Sequence, residues 1–487
     1  LWSDDGICVS LSDIYKETMS NESKISISPP RPVARRWGFW FWVVILVLLI
    51  GFGIWRVSLA REISHKLDKI AADGFPTSGV ELEPLYKLVP ETNNAAVLLE
   101  QACNKLVLLK SKEMESLRDD FIVPDAALIP EVEQLMERYL ATNAESMGLA
   151  REALQRTGCH YKFDAVCGMG NTVPSGNNLT RIGRLFLYES VRDSRHHAAR
   201  ESLDNLKFIA ILAQTLDSVP SLSAQRTRMK IFADGVTGIE FALSHCEFTD
   251  SMLVELREAY GRNQSNRAAF AFIGERAMAI PYFRLTGAEQ RHLLRSSMDD
   301  LGYAPHSSYR RPTSLLGLTG FSERDLNCYL DTVETGIAMA RLAPPRSLQY
   351  TNFLVGRQLA AERSYCWNSA SRMSAFSDAI IREARDIAQA RQVEISIAVE
   401  RFRLVQGRLP ESLLELVPRY LAAVPEDPFD GHPMRFQRTS IGYTIYSIGP
   451  DGVDDGGLDW ATFKRKSKKQ KLTERRETFD IPFVVAH

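Results

Sequence analysis

Trp37–Trp55, WGFWFWVVILVLLIGFGIW, runs for nineteen residues without a charge. Rising about 1.5 Å per residue as a helix, it spans roughly 28 Å, close to the hydrocarbon thickness of a bilayer. Only a helix satisfies its own backbone there. The stretch divides the 487-residue chain into an N-terminal tail, 1–36, a transmembrane helix, 37–55, and a long body. Trp37, Trp40, Trp42 and Trp55 stand at or near its ends, where indoles favour the membrane interface. Lys24, Arg31, Arg35 and Arg36 precede it, and Arg56, Arg61, Lys66 and Lys69 follow it, so the count of flanking charges is tied. Arg35 and Arg36 form the denser cluster beside the apolar run, behind an extended Pro-Pro-Arg-Pro element, and favour a cytoplasmic N-terminus. A cleavable signal peptide fits less well, because Arg56 lies beside the small residues Ser58 and Ala60 and the apolar run exceeds the usual ~7–15 residues. An uncleaved signal anchor is the better reading.

The body is long enough for two or three domains. With 59 basic and 60 acidic residues the net charge is -1, which supplies no global field for nucleic acid. Seven cysteines are scattered without a CxxC pair or metal-finger spacing. Cys159 and Cys167, on either side of a loop-like stretch, either bridge in an oxidising compartment or stay two thiols.

Residues 56–384 read as helix after helix. Val57–Ala72 continues out of the membrane and stops at Gly74 and Pro76. Asn94 begins a helix, others start near Ser221, Thr249 and Ser322, and Leu128–Ala153 reads as a single helix. Leu203, Leu206, Ile209, Ala210, Ala213 and Leu216 mark a buried stripe. Stacked helical hairpins without a fixed repeat period are the expected architecture. The longest break is 296–318, rich in Ser, Pro and Tyr.

Residues 385–487 read as an α+β module, which makes the whole chain mainly α. Ile395, Ala398, Phe402 and Val405 form the inner stripe of a long helix ended by Gly407 and Pro410. A short helix through Leu413, Leu416, Val417 and Leu421 follows, then a hairpin turning at Ser440–Gly442. The closing strand from Phe479 returns to the sheet edge, so the basic run 464–476, eight cations in thirteen residues, becomes an insertion loop. Without interleaved aromatics that run reads as solvated linker.

Two resemblances sit on these residues. FPTSGVELEPLYKLVPETNNAAVLLEQA and GERAM, Gly274–Met278, resemble membrane-anchored helical proteins of planctomycete and verrucomicrobial bacteria, for which no activity is established. ERFRLVQGRLPESLLELVP, VPEDPFDGHPMRF and YTIYSIGPDGVDDGG, within Ile395–Gly457, together resemble the C-terminal half of the type II secretion major pseudopilin. In a pseudopilin the membrane helix continues into the helix that carries the sheet, whereas about 340 residues intervene here, and no prepilin-type cleavage context is present. The resemblance implies a calcium site in the loop of Asp451, Asp454 and Asp455. Carboxylates among flexible glycines suit a hard cation that takes six to eight oxygens; a solvated acidic turn is the alternative.

No HExxH, GxSxG, P-loop or dinucleotide fingerprint occurs. His196 and His197 read as exposed surface, and the acid pairs Asp299/Asp300 and Glu323/Asp325 as helix caps or solvated groups. The expectation is a single-pass interaction or scaffolding protein of the bacterial cell envelope, anchored in the inner membrane with a periplasmic body. It would meet the membrane and a protein partner, and no nucleic acid. An accessory of a type II secretion or pilus-like system is the alternative, and an unrecognised hydrolase in the helical domain a further one.

Overall fold

A computed structural model of the chain describes residues 33–85, 89–117, 122, 129–161, 176–261, 266–285, 289, 319–458 and 479–487. It divides into two units, Leu1–Ala60 and Arg61–His487. Among the described residues the protein is mainly helical, with one small antiparallel sheet near the C-terminus.

Helix α1 spans Val33–Ala72, and its part from Gly38 is long and apolar enough to cross a membrane. Phe39, Trp40, Leu48 and Ile54 are each more than 60% exposed, so these side chains have no protein core to bury them. The helix stops before Gly74, which takes φ +78°.

The second unit holds α2 (Ala95–Lys105), α3 (Ser111–Ser116), α4 (Pro130–Thr142), α5 (Ala144–Leu154), α6 (Gly176–Arg195), α7 (Ala199–Gln214) and α8 (Leu222–His245). These are followed by α9 (Asp250–Tyr260), α10 (Arg267–Arg284), α11 (Phe321–Ala340), α12 (Thr351–Arg363) and α13 (Trp367–Gln406). Helices start at Asn94 and near Ser221, Thr249 and Ser322, as the sequence suggests, and the first three of these residues are caps. Asn94, Ser221 and Thr249 accept the backbone N–H of Ala96 at 3.1 Å, Ala224 at 3.1 Å and Met252 at 3.4 Å. The single helix expected over Leu128–Ala153 is instead two, broken at Asn143. That residue's amide leaves helical duty to hold a neighbouring strand of backbone. It accepts from Val107 N at 2.8 Å and donates to Val107 O at 3.2 Å and Tyr139 O at 3.0 Å.

The core lies where α6, α7 and α8 meet, with α13 packed on α8. The stripe Leu203, Leu206, Ile209, Ala210, Ala213 and Leu216 is at most 2% exposed, and each of its larger side chains contributes about 1.5–3 kcal/mol relative to exposure. The last turns of α1, from Arg61, belong to this unit. Lys66 pairs with Glu62 at 2.9 Å and with Asp331 of α11 at 2.5 Å.

The sheet has the order β1 (Arg435–Thr439), β2 (Gly442–Ser447), β3 (Ile481–Ala486), all antiparallel. Thr439 pairs with Gly442, so Ser440 and Ile441 make the turn, as the hairpin pattern predicts. The short helix expected after Pro410 is a single 3-10 turn, Leu413–Leu416. Tyr443, Ile445, Phe483 and Val485 are fully buried on one face, with Tyr443 opposite Val485 and Ile445 opposite Phe483. The outer edge of β3 does not stay open. Pro482 has no N–H, and Val484 and Ala486 donate theirs to Glu240 at 2.7 Å and Ser244 at 3.1 Å on α8. Helix α13 runs without interruption through residue 385, and helices and sheet share one hydrophobic core.

Candidate functional site

Helices α6, α8 and α13 turn polar faces towards one cleft of about 860 Å³. On α6 the lining residues are Asn177, Thr180, Arg181, Arg184 and Tyr188; on α8, Arg226, Met229, Lys230 and Ala233; on α13, Asp378, Ile381, Arg382, Arg385 and Gln389. The repeated three- and four-residue spacing puts each set on one helix face. The residues between them, Ile182, Phe186, Ile231 and Ile380, are buried, so the same helices that build the interior hold the cleft rigid.

Six cations, Arg181, Arg184, Arg226, Lys230, Arg382 and Arg385, face three carboxylates. Each carboxylate is already engaged. Asp378 lies between Arg226 at 3.0 Å and Arg382 at 2.8 Å, and Asp234 lies 3.5 Å from Arg184. Asp386 meets Arg228 at 2.5 Å, both at most 2% exposed. Burial pushes the Asp386 carboxyl above the ordinary range, while the Arg228 charge acts the other way. Arg228 is held in turn by the side-chain oxygen of Gln225 at 3.0 Å. Losing one partner of such a buried pair leaves an uncompensated charge and costs about 3–5 kcal/mol.

One turn before Asp386 on α13, Glu383 accepts the backbone N–H of Arg267 at 2.5 Å and so caps α10 from across the fold. Burial pushes its carboxyl up to about 7. Tyr139, which also lines the cleft, is 4% exposed, its ring tilted against Tyr188 at 6.4 Å, and its hydroxyl has no hydrogen-bond partner among the described residues. Burial raises the Tyr139 phenol, and the charges of Arg181 and Arg184 oppose that rise.

The lining offers guanidinium, ammonium, amide and hydroxyl groups, and no Ser, Cys or His. Guanidinium and ammonium groups at this density are chemistry that recognises anions. Sequence reasoning missed the cleft because its cations are spread from residue 181 to residue 385 in a chain of nearly balanced charge. The signal that was present is the helical spacing of Arg181/Arg184, Arg226/Lys230 and Arg382/Arg385 on three helices with apolar opposite faces.

The residues singled out for calcium lie together in the glycine-rich loop after β2, with Gly449, Gly452, Gly456 and Gly457 all at φ between +69° and +81°. Their carboxylates do not converge. Asp451 accepts from Val453 N at 3.1 Å and Asp454 from Gly456 N at 3.0 Å, while Asp455 N and Gly457 N donate to Asp480 at 3.1 and 2.7 Å. Asp454 is also 3.7 Å from Arg435. Among the described residues no three His, Cys, Asp or Glu side chains gather as a metal would require. Burial, with the charges of Asp454 and Asp455 nearby, raises Asp480 to about 6.

His196 and His197 form the exposed turn between α6 and α7, where His197 takes φ +55° and meets His245 O at 2.7 Å. Asp325 is a cap, but for another helix: it accepts from Asn368 N at 3.0 Å and Ser369 N at 2.9 Å at the start of α13. Cys159 is unbridged; Cys167, the acid pair Asp299/Asp300, the break 296–318 and the basic run 464–476 lie outside the described residues. No protein-family model, curated protein or solved structure matches the chain.

Proposed function

We propose that this protein is a single-pass, membrane-anchored interaction or scaffolding component of the bacterial cell envelope, recognising an anionic ligand through the cleft of α6, α8 and α13. The observation that carries the reading is the cleft lining, six cations on three packed helices. Helix α1 supplies the anchor, and the helices of 56–384, read as stacked hairpins, supply the frame. The helix-on-sheet arrangement of α13 with β2 and β3 supports the pseudopilin-like reading of the C-terminal module, and with it a second reading as an accessory of a secretion or pilus-like system. A hydrolase would have to work with carboxylates that are already ion-paired to arginines.

A photoreactive residue in place of Met229, in the full chain within its native membrane, tests the recognition reading. Irradiation is expected to add mass to the protein, as a small molecule or a partner peptide, with no such adduct from a control at Leu359 on the exposed side of α12. No adduct at Met229, or equal adducts at both positions, removes the reading.

A further inference from the structure

We infer that the ligand of the cleft is a small polyanion carrying at least two oxyanion groups, phosphate or carboxylate, on a compact body. The inference rests on the recognition reading above and names the ligand class. Its first support is charge. Six cations face three carboxylates that are already paired, which leaves the cleft net positive. Guanidinium groups hold carboxylate and phosphate through parallel N–H donors, a geometry ammonium groups lack.

Size and spread are the second support. One oxyanion would engage only part of an array contributed by three helices, and a cleft of about 860 Å³ lies in the range of small-molecule sites. Met229 and Ile381 in the lining accept a less polar body between the charged groups.

Tyr139 is the third support and is independent of the cations. A hydroxyl buried without a partner among the described residues costs free energy. Placed at the cleft with Arg181 and Arg184 near, it is a donor ready for an oxyanion oxygen.

The test is calorimetric titration of the detergent-solubilised full chain with pyrophosphate and, separately, with citrate, against sulfate at equal ionic strength. Binding of pyrophosphate or citrate is expected, the better of the two showing whether the groups are phosphates or carboxylates. The double variant Arg181→Gln, Lys230→Gln should weaken it by about tenfold or more, the scale of losing charge-assisted hydrogen bonds. Tyr139→Phe should weaken it about threefold or more without lowering the melting temperature of the ligand-free protein, since the hydroxyl has no partner to lose and its burial is relieved. Sulfate binding as tightly, or the double variant binding like the wild type, would mean an adventitious ion only and overturn the inference. Absence of binding by both probes also overturns it; if Met229 still gives its adduct, the recognition reading survives alone.

Discussion

Glu383 is the residue whose surroundings carry the clearest consequence. It caps α10 from a position more than a hundred residues away in sequence, and burial raises its carboxyl to about 7 from an ordinary 4.5. Between those values the folded protein keeps a proton that the unfolded chain releases. The resulting stabilisation is fully present below about pH 4.5 and is lost as pH rises through about 7, on the order of 3 kcal/mol at most. Glu383→Gln keeps the neutral shape without the proton. Urea unfolding at pH 5 and pH 8 should show the wild type losing more stability over the interval than the variant, whereas parallel losses would contradict the assignment. Gly274 is constrained by space. A Cβ there would overlap the Pro220 carbonyl oxygen, which is backbone and cannot swing aside. Gly274→Ala is therefore expected to destabilise the body by about 1–3 kcal/mol in the same assay, and a neutral result would mean that the α10 contact gives way freely.

Among the elements, the break between α4 and α5 shows tertiary structure overriding a local helical pattern. The periodicity from Leu128 to Ala153 is sound, yet Asn143 is 1% exposed and spends its amide on the backbone of Val107 and Tyr139. Asn143→Ala should cost about 2–4 kcal/mol, because it strands buried backbone groups; a loss well under 1 kcal/mol would show that α4 and α5 prefer to fuse. The acidic loop after β2 is an element supported from within. Asp480 receives the N–H groups of Asp455 and Gly457, and a calcium ion would have to draw Asp451, Asp454 and Asp455 together against that arrangement. Calcium binding there remains a proposal with a direct check. It requires that calcium raise the melting temperature of the full chain and that Asp454→Ala abolish the rise; no response to calcium removes it.

For the molecule as a whole, the anchoring proposal concerns sidedness. The body, Arg61–His487, is expected to be digested by protease added to spheroplasts, and protection of the body would reverse the proposed orientation. Sequence alone determined the apolar helix, the helix starts at Asn94 and near Ser221, Thr249 and Ser322, the buried stripe of α7 and the hairpin turn at Ser440. Each depends on residues within a few positions of one another, where helix period, capping and turn chemistry act. Tertiary structure alone decided the cleft, the capping of α10 by Glu383 and of α13 by Asp325, and the closing of the β3 edge by Glu240 and Ser244. In those, the partners are separated by tens to hundreds of residues, and charged side chains on a helix face look alike in sequence whether they meet solvent or one another. Only the packing of α6, α8 and α13 turns three ordinary polar faces into one cationic site.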